Sequence, residues 1–344
     1  MEMSFRWYGE NDPVTLANIK QIPGVTGIVS AIYDIPTGDV WPHDKIENLK
    51  QKIEKYNFSL TVIESVPVHE DIKLGLESRD KWISNYKQTL RNLSQAGIRT
   101  VCYNFMPVFD WTRSELAASL PDGSTSLKYD DKSIKYIDPL GGELTLPGWD
   151  LSYQKEDLRR IIDQYQSIEE NTLMDNLIYF LKEIIPVAEE EEILMAIHPD
   201  DPPWKIFGLP RVVTNKRNIN YILKEVNSPN NGITFCAGSY GSNPENDLPG
   251  IINVAHGRIH FVHARNIKWT GKYSFQETSH LASDGSLNLS DLLEKLHQAG
   301  FNGPIRPDHG RMIWGEEGRP GYGLYDRALG VMYLNGVLDT LDNN

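Results

Sequence analysis

Cysteine is scarce in this chain, since only Cys102 and Cys236 occur among its 344 residues. Two cysteines are too few for the disulfide framework on which many small secreted domains depend. Long apolar runs are also missing, because no stretch approaches the roughly 18 uninterrupted apolar residues of a membrane span. No opening apolar run flanked by basic residues suggests a signal peptide. We therefore expect a cytoplasmic protein without a membrane partner.

Basic residues are outnumbered by acidic ones. The 34 Lys and Arg against 47 Asp and Glu give a formal net charge of −13, and no run of Lys or Arg stands out. An acidic surface repels a phosphate backbone, so nucleic acid is not expected as a partner. A small acidic substrate stays open, because a local group of arginines and a bound cation can reverse the sign of one cleft.

Short runs rich in Val, Ile, Phe and Tyr recur along the chain, between segments with helical periodicity. In one such segment, 78–96, Tyr86, Leu90 and Leu93 lie on one stripe of the predicted helix. The chain is about 90 residues longer than the roughly 250 of a typical (β/α)8 barrel, which leaves room for insertions. We predict an α/β fold, a single TIM-barrel domain spanning 1–344, with eight strands at 4–9, 27–31, 60–65, 100–107, 193–199, 233–239, 259–267 and 303–310.

The segment 120–156 follows the fourth predicted strand and lacks helical period. Alternating residues within 126–137 (SLKYDDKSIKYI) are typical of a hairpin. Loops of this length are usually lids, binding loops or contact surfaces, and this one would lie at the barrel end where active sites form. We interpret 120–156 as an inserted lid or a subunit-contact loop.

Side chains that bind metals stand at the ends of the last four predicted strands: His198, Cys236, His263 and Asp308. Their separations of 38, 27 and 45 residues are each close to one strand-helix repeat. A lone histidine or cysteine at a strand end is more often structural, but four potential ligands in register favour a divalent-metal site. The two imidazoles and the thiolate suit Zn(II) or Fe(II), the carboxylate suits Mn(II) or Mg(II), and the ligands alone favour zinc.

The segment 306–330 (RPDHGRMIWGEEGRPGYGLYDRALG) carries the candidates for proton transfer. His309 directly follows a predicted metal ligand, and imidazole titrates near neutral pH, which suits general acid or base work. Tyr322 lies between two glycines in the loop above the last strand, where its phenol either shares proton transfer or has no role at all. Tyr325 is a weaker candidate.

Arg265 and Arg306 each share a strand face with a predicted ligand. Either guanidinium suits bidentate binding of a substrate carboxylate, whereas a structural ion pair inside the barrel explains them equally well. Asp200 and Asp201 follow His198 and are predicted either to orient that imidazole or to be solvated loop carboxylates.

Six motifs together closely resemble the mannonate dehydratases over essentially the whole chain. They are FRWYG near the start, NFMPVFDW at 104–111, HPDDPP at 198–203, CAGSYGS at 236–242, VHARNIK at 262–268 and RPDHGRMIWG at 306–315. The resemblance implies a TIM barrel related to the xylose-isomerase-like enzymes. It also implies dehydration of D-mannonate to 2-dehydro-3-deoxy-D-gluconate, a step in the breakdown of glucuronate, with a divalent metal that is usually Mn(II).

By this resemblance the four residues at the strand ends take the metal-ligand positions, and His309 and Tyr322 take those of the acid-base pair. Mn(II) replaces zinc as the expected metal, with Fe(II), Zn(II), Co(II) or Mg(II) as alternatives. We also expect a homo-oligomer, a dimer. Which of His309 and Tyr322 is the base and which the acid is left open by the sequence.

Three other functions are weighed against this one. A metal-dependent sugar or sugar-acid isomerase on the same barrel would move a proton between neighbouring carbons without releasing water. A DNA-repair nuclease needs more His, Asp and Glu ligands than the sequence places together, and the acidic surface opposes it. A sugar-acid-binding protein without activity leaves His309 and Tyr322 unexplained.

Overall fold

The computed structural model describes residues 1–137, 139 and 155–342. Within them, twelve strands occur in chain order: β1 Glu2–Arg6, β2 Gly27–Ser30, β3 Ser59–Glu64, β4 Thr100–Tyr103, β5 Glu115–Ser119, β6 Thr125–Tyr129, β7 Leu194–Ile197, β8 Asn231–Cys236, β9 Ile259–His263, β10 Ile267–Gly271, β11 Ser274–Glu277 and β12 Pro304–Arg306. Eight of them form a closed barrel in the order β1-β12-β9-β8-β7-β4-β3-β2. All neighbouring pairs of this barrel are parallel, so the predicted TIM barrel and its eight strands are confirmed.

Helices in the described part of the chain connect and flank these strands. They are α1 Leu16–Ile19, α2 His43–Glu54, α3 Glu70–Leu74, α4 Arg79–Gln95, α5 Asp131–Lys135, α6 Lys155–Tyr165, α7 Glu170–Glu190, α8 Lys216–Glu225, α9 Ala237–Gly241, α10 Leu248–Val254, α11 Leu289–Gln298 and α12 Tyr325–Asp342. None of these helices combines the length and the apolar character that crossing a bilayer requires.

Helix α4 shows how the sequence pattern produces the layer around the barrel. Tyr86, Leu90 and Leu93 of the predicted stripe are buried, because that face of α4 packs inward. The helix ends where Gly97 takes a φ of 80°, a left-handed conformation in which glycine has no Cβ to clash. The next amide, that of Ile98, donates to the Leu93 carbonyl and so satisfies the end of the helix.

Five side chains from five barrel strands form a cluster separate from the larger core between strands and helices. They are Val29, Val62, Cys102, Ala196 and Phe261, all essentially inaccessible to solvent. Cys102 therefore packs as a small apolar group. These five side chains fill the inside of the barrel at this level, so reactive side chains are expected at the strand ends.

A second sheet, of four strands in the order β10-β11-β6-β5, is built from the segments that follow β4 and β9. Residues 126–129 of the predicted hairpin do lie in a strand, but that strand, β6, pairs with the upstream β5. The predicted hairpin is wrong beyond that point, because 131–135 is helix α5. Asp130 caps this helix by accepting a hydrogen bond from the Ser133 amide at 2.7 Å. Most of the rest of the predicted lid or contact loop, 138 and 140–154, lies outside the described residues.

Candidate metal and acid-base site

The four predicted metal ligands lie at one end of four neighbouring strands. His198 directly follows β7, Cys236 ends β8, His263 ends β9, and Asp308 stands two residues after β12. The register pairs Cys236 with His263, so these two side chains start from the same level of the barrel. Parallel strands present their C-terminal ends together, and this is why residues far apart in sequence meet here.

The donor atoms of His198, Cys236 and His263 all lie within 4.8 Å of one another. The closest approach is 3.2 Å, between Nε2 of His198 and Nδ1 of His263. Asp308 is adjacent, with Oδ1 at 3.6 Å from His263 Nδ1 and Oδ2 at 3.6 Å from Cys236 Sγ. The structure thus brings three of the four candidates into one cluster and places the fourth against two of them.

Both imidazoles have one nitrogen engaged outside the cluster and one turned into it. Nδ1 of His198 is 2.7 Å from the Pro199 carbonyl oxygen, and Nε2 of His263 is 3.5 Å from Glu64 Oε1. Each inward nitrogen offers a lone pair to a cation when the ring proton is on the outward nitrogen, which is the arrangement that metal-binding histidines adopt. Two nitrogen lone pairs, a sulfur and a carboxylate at these distances fit a divalent transition metal.

Asp308 is the carboxylate among the four candidate ligands, and its surroundings keep it ionised. Burial alone would raise the pKa of its carboxyl, but His309, Arg306 and His263 hold that pKa well below its usual range. Arg306 Nη2 is 3.0 Å from Oδ1. Asp308 also has a φ of 41°, in the left-handed region that side chains other than glycine rarely adopt. The surrounding contacts hold an ionised carboxylate, a candidate oxygen ligand, in an unusual backbone conformation.

Arg265 and Arg306 are both buried in ion pairs. Arg265 donates to Asp201 at 2.8 Å and to Glu277 at 3.0 Å, which occupies both of its terminal nitrogens. Arg306 Nη2 donates to Glu64 at 2.9 Å, while its Nη1 and Nε have no hydrogen-bond partner among the described residues. Arg306 therefore keeps donors for a substrate, and a substrate-binding role for either arginine stays a prediction.

These ion pairs join into one continuous row of alternating charge, the arginine-carboxylate row. In order it contains Arg6, Glu64, Arg306, Asp308, Arg265, Glu277 with Asp201, and Arg113. The pKa of each of the four carboxyls is lowered by its neighbours despite burial, so all are ionised. Four positive and four negative charges then cancel within the row.

His309 and Tyr322, the predicted acid-base pair, touch each other. Nε2 of His309 is 2.8 Å from the phenol oxygen of Tyr322, and its Nδ1 is 3.0 Å from both carboxylate oxygens of Glu277. Nε2 also lies 3.8 Å from Asp308 Oδ1, so the pair borders the metal-ligand cluster. Both side chains are buried.

The loop that carries Tyr322 is held by β6. Gly321 has a φ of 79°, and a Cβ at that position would stand 2.6 Å from Leu127 Cδ1, so only glycine fits there. Burial, the Tyr8 phenol and the Asp308 carboxylate raise the pKa of Tyr322 well above its usual value. Tyr325, the weaker candidate, is 43 % exposed and packs on Trp314.

The roles predicted for Asp200 and Asp201 are wrong, because both are buried and pair with arginines. Asp200 accepts a hydrogen bond from the Val213 amide at 2.7 Å and lies 3.5 Å from Arg211, whereas Asp201 binds Arg113. His198 makes its contact with the Pro199 carbonyl instead. A buried carboxylate must be paired, and the arginine that binds Asp201 is 88 residues away in sequence.

Sequence reasoning missed Glu277, Arg113, Glu64 and Arg6. Glu277 ends β11, a short strand without an alternating pattern, and its partner His309 is 32 residues away. Arg113 carried a weak signal, because it stands two residues after the motif NFMPVFDW. Glu64 is the last residue of β3, and a carboxylate at that level of the barrel is a signal that strand-end reasoning can use.

Comparisons with known proteins point to one family. Residues 1–344 match the family model described as D-mannonate dehydratase (UxuA). Similar curated proteins include Mannonate dehydratase 2 of Halalkalibacterium halodurans, 59 % identical over 100 % of both chains, and a mannonate dehydratase of Streptococcus agalactiae, 57 % identical over 99 % of both.

Solved structures give the same result. The crystal structure of mannonate dehydratase from Streptococcus suis has a TM-score of 0.93 at 49 % identity, covering 99 % of this chain and 95 % of that one. A xylose isomerase domain protein from Planctomyces limnophilus has a TM-score of 0.58 at 12 % identity, covering 99 % of each chain, and shares the fold alone.

Proposed function

Because the chain belongs to the D-mannonate dehydratase family, we propose that it removes water from D-mannonate to give 2-dehydro-3-deoxy-D-gluconate. One observation carries this proposal: a cluster of metal-binding donors borders a hydrogen-bonded His309–Tyr322 pair, with Asp308 Oδ1 at 3.8 Å from His309 Nε2. Elimination of water needs one group to take a proton and another to give one, and the site supplies both.

We further propose that His198, Cys236, His263 and Asp308 hold one divalent metal, which by family resemblance is Mn(II). When bound, such a cation supplies the positive charge that makes the hydrogen on carbon 2 of the sugar acid more acidic. The Ser239 hydroxyl lies 3.0 Å from Cys236 Sγ and donates to it, which orients the sulfur within the cluster. Measuring the metal content of protein purified without chelators tests the identity of the metal.

The charges of the site suit a substrate with one carboxylate. The arginine-carboxylate row is neutral, so it neither attracts nor repels an anion by its net charge. A divalent cation with one thiolate ligand adds a net single positive charge. A singly charged sugar acid neutralises that charge, and Arg306 has unused donors with which to orient it.

His309 and Tyr322 divide the proton transfers in this proposal. Nε2 of His309 takes the proton from carbon 2, and the protonated Tyr322 phenol gives its proton to the hydroxyl that leaves carbon 3 as water. The hydrogen bond between the two side chains then returns the proton from His309 to Tyr322. The enol product rearranges to the 2-keto acid, and both side chains recover their starting states.

Product analysis tests the proposed function. Metal-supplemented protein incubated with D-mannonate should form 2-dehydro-3-deoxy-D-gluconate, identified by carbon-13 NMR, and D-gluconate, the carbon 2 epimer, serves as the matched control substrate. Formation of an epimer or of another isomer without loss of water would instead support the isomerase alternative. Failure to convert D-mannonate at any metal supplement would overturn the proposal.

A further inference from the structure

Glu277 is a buried carboxylate fixed from two sides. Its Oε1 accepts hydrogen bonds from Arg113 Nη2 at 2.6 Å and from Arg265 Nη1 at 3.0 Å. Both of its oxygens lie 3.0 Å from His309 Nδ1, and Oε2 faces that nitrogen without an arginine partner. The two guanidinium groups therefore set the orientation of the carboxylate relative to the imidazole.

Glu277 belongs to a strand of the second sheet, and this sheet, rather than the barrel, positions it at the site. Strand β11 pairs with β6 through Phe275 with Tyr129 and Gln276 with Lys128. The rings of Phe275 and Tyr129 stack with centroids 5.8 Å apart, and the Arg113 guanidinium lies 4.9 Å from the Phe275 ring. Packing of this kind holds the carboxylate and its arginine partner in one rigid unit.

Two proton arrangements on His309 are compatible with the distances alone. Nδ1 either donates its proton to Glu277 or accepts one from Arg265 Nη1, which is 2.9 Å away. Arg265 Nη1 donates one of its two protons to Glu277 Oε1, so the charge of Glu277 decides between the two arrangements. An unprotonated Nδ1 would point its lone pair at two ionised oxygens, which is repulsive, whereas a protonated one makes a charge-assisted hydrogen bond.

We propose that Glu277 is a positioning residue that keeps the proton of His309 on Nδ1, so that Nε2 presents a lone pair to Tyr322 and to the substrate. The position of the proton follows from the contacts of Glu277 alone. Its catalytic consequence rests on the proposed function, in which Nε2 takes a proton. The second sheet thus acts on the reaction through Glu277.

Glu277→Gln is an informative change because Arg113 and Arg265 determine the orientation of the new amide group. Arg113 and Arg265 require an acceptor at the Oε1 position, so the amide oxygen stays there and the amide nitrogen occupies the Oε2 position. That nitrogen can only donate, and His309 Nδ1 must then accept. The proton is expected to move to Nε2, leaving no lone pair on the catalytic side.

Nitrogen-15 NMR of histidine-labelled protein, loaded with diamagnetic Zn(II), tests the proton position directly. The parent should show His309 protonated on Nδ1, with its signals assigned by their loss in His309→Asn, and Glu277→Gln should show the proton on Nε2. A parent protonated on Nε2 would overturn the proposal whether or not the variant folds. An unchanged Nδ1–H in a folded Glu277→Gln protein would overturn it as well.

Kinetics test the consequence and separate it from a structural effect. Glu277→Gln should lower kcat on the order of 10²- to 10⁴-fold with little change in KM, the scale reported when a catalytic histidine is held in the wrong tautomer. In a His309→Asn background the same change should cause no further loss, because Glu277 acts through His309. An additive loss would show an independent role and contradict the proposal.

Two further variants guard against misfolding. Glu277→Asp keeps the charge and the acceptor, so it should retain the Nδ1–H form and exceed Glu277→Gln in kcat. Gln276→Ala changes the neighbouring residue of β11 and loses side-chain bonds to the β5–β6 hairpin, yet leaves Glu277 in place. If the parent forms no keto acid, the proposed function fails, while NMR still decides the role of Glu277.

Discussion

Tyr322 illustrates at the residue scale how surroundings select the chemistry of a side chain. An exposed tyrosine in a glycine-rich loop has no obvious role, and the sequence left this alternative open. In the structure the phenol is buried, its pKa is raised, and it contacts His309 at 2.8 Å. A protonated phenol in contact with an imidazole can act as a proton donor. Tyr325, three residues further along the chain, is half exposed.

Removing either member of this pair should stop proton transfer without emptying the metal site. We expect His309→Asn and Tyr322→Phe each to lower kcat on the order of 10²-fold or more, with near-normal metal content and KM. Steady-state kinetics beside metal analysis check this. Tyr325→Phe is the matched control and should keep full turnover. Full turnover in Tyr322→Phe would remove that residue from the mechanism.

Cys236→Ser should lower metal occupancy, because a hydroxyl is a far weaker ligand than a thiolate for a transition metal. Occupancy measured by metal analysis after dialysis against a weak chelator is expected to fall, and turnover to fall with it. Cys102→Ser is the control, since Cys102 is equally buried but packs inside the barrel. Unchanged metal affinity in Cys236→Ser would show that the sulfur is not a ligand.

At the residue scale, sequence reasoning could propose site residues where a strand end marks them. His198, Cys236, His263, Asp308 and His309 could be proposed because a parallel barrel places its strand ends together. Glu277 could not, since nothing local distinguishes it from a solvated glutamate and its contact depends on two distant arginines. Pairing between charges far apart in sequence is a property of the folded molecule alone.

At the scale of elements, strand β6 helps to position the two side chains that contact His309, namely Glu277 and Tyr322. It pairs with β11, which carries Glu277, and Thr125 exchanges backbone hydrogen bonds with Met312 at the start of the loop that leads to Tyr322. The eight barrel strands were predictable, because most of them are short runs rich in apolar residues. The four-stranded sheet was not, because its strands come from two separate insertions and join only by long-range pairing.

Destabilising the four-stranded sheet should lower turnover more than it lowers metal occupancy. Phe275 is fully buried and stacks on Tyr129, so Phe275→Ala is expected to cost about 3–5 kcal/mol of stability and to free β11 locally. Glu277 then loses its fixed position, and kcat should fall while metal content stays near the parent value. Tyr129→Phe keeps the ring stack and should behave like the parent. Normal kcat in a folded Phe275→Ala protein would contradict this role of the sheet.

The whole molecule should lose stability in acid through its buried carboxylates. Burial would raise the pKa of Glu277, but His309, Arg265 and Arg113 lower it from 4.5 to about 2. Because the folded pKa is depressed, the stabilisation is complete above pH 4.5 and is lost as the pH falls toward 2. The contribution of this one group is on the order of 3 kcal/mol.

Urea unfolding between pH 6 and 3 measures this effect. The free energy of unfolding of the parent should fall as the pH drops below 4.5, and Glu277→Gln should be less stable at pH 6 with a shallower decline. Identical slopes in the two proteins would show that Glu277 does not contribute to acid sensitivity.

Two expectations about the whole molecule stay predictions. One is the dimer, which sedimentation can test, and the other is the lid or subunit-contact role of 120–156.

A metal titration of turnover tests the central claim most directly. Protein stripped with chelator is reloaded stepwise with Mn(II), and both bound metal and keto-acid formation from D-mannonate are measured at each step. Turnover should be absent in the stripped protein, rise in proportion to bound metal and level off at about one ion per chain, the stoichiometry of a single catalytic site. Keto-acid formation at the full rate in rigorously metal-free protein would contradict the account.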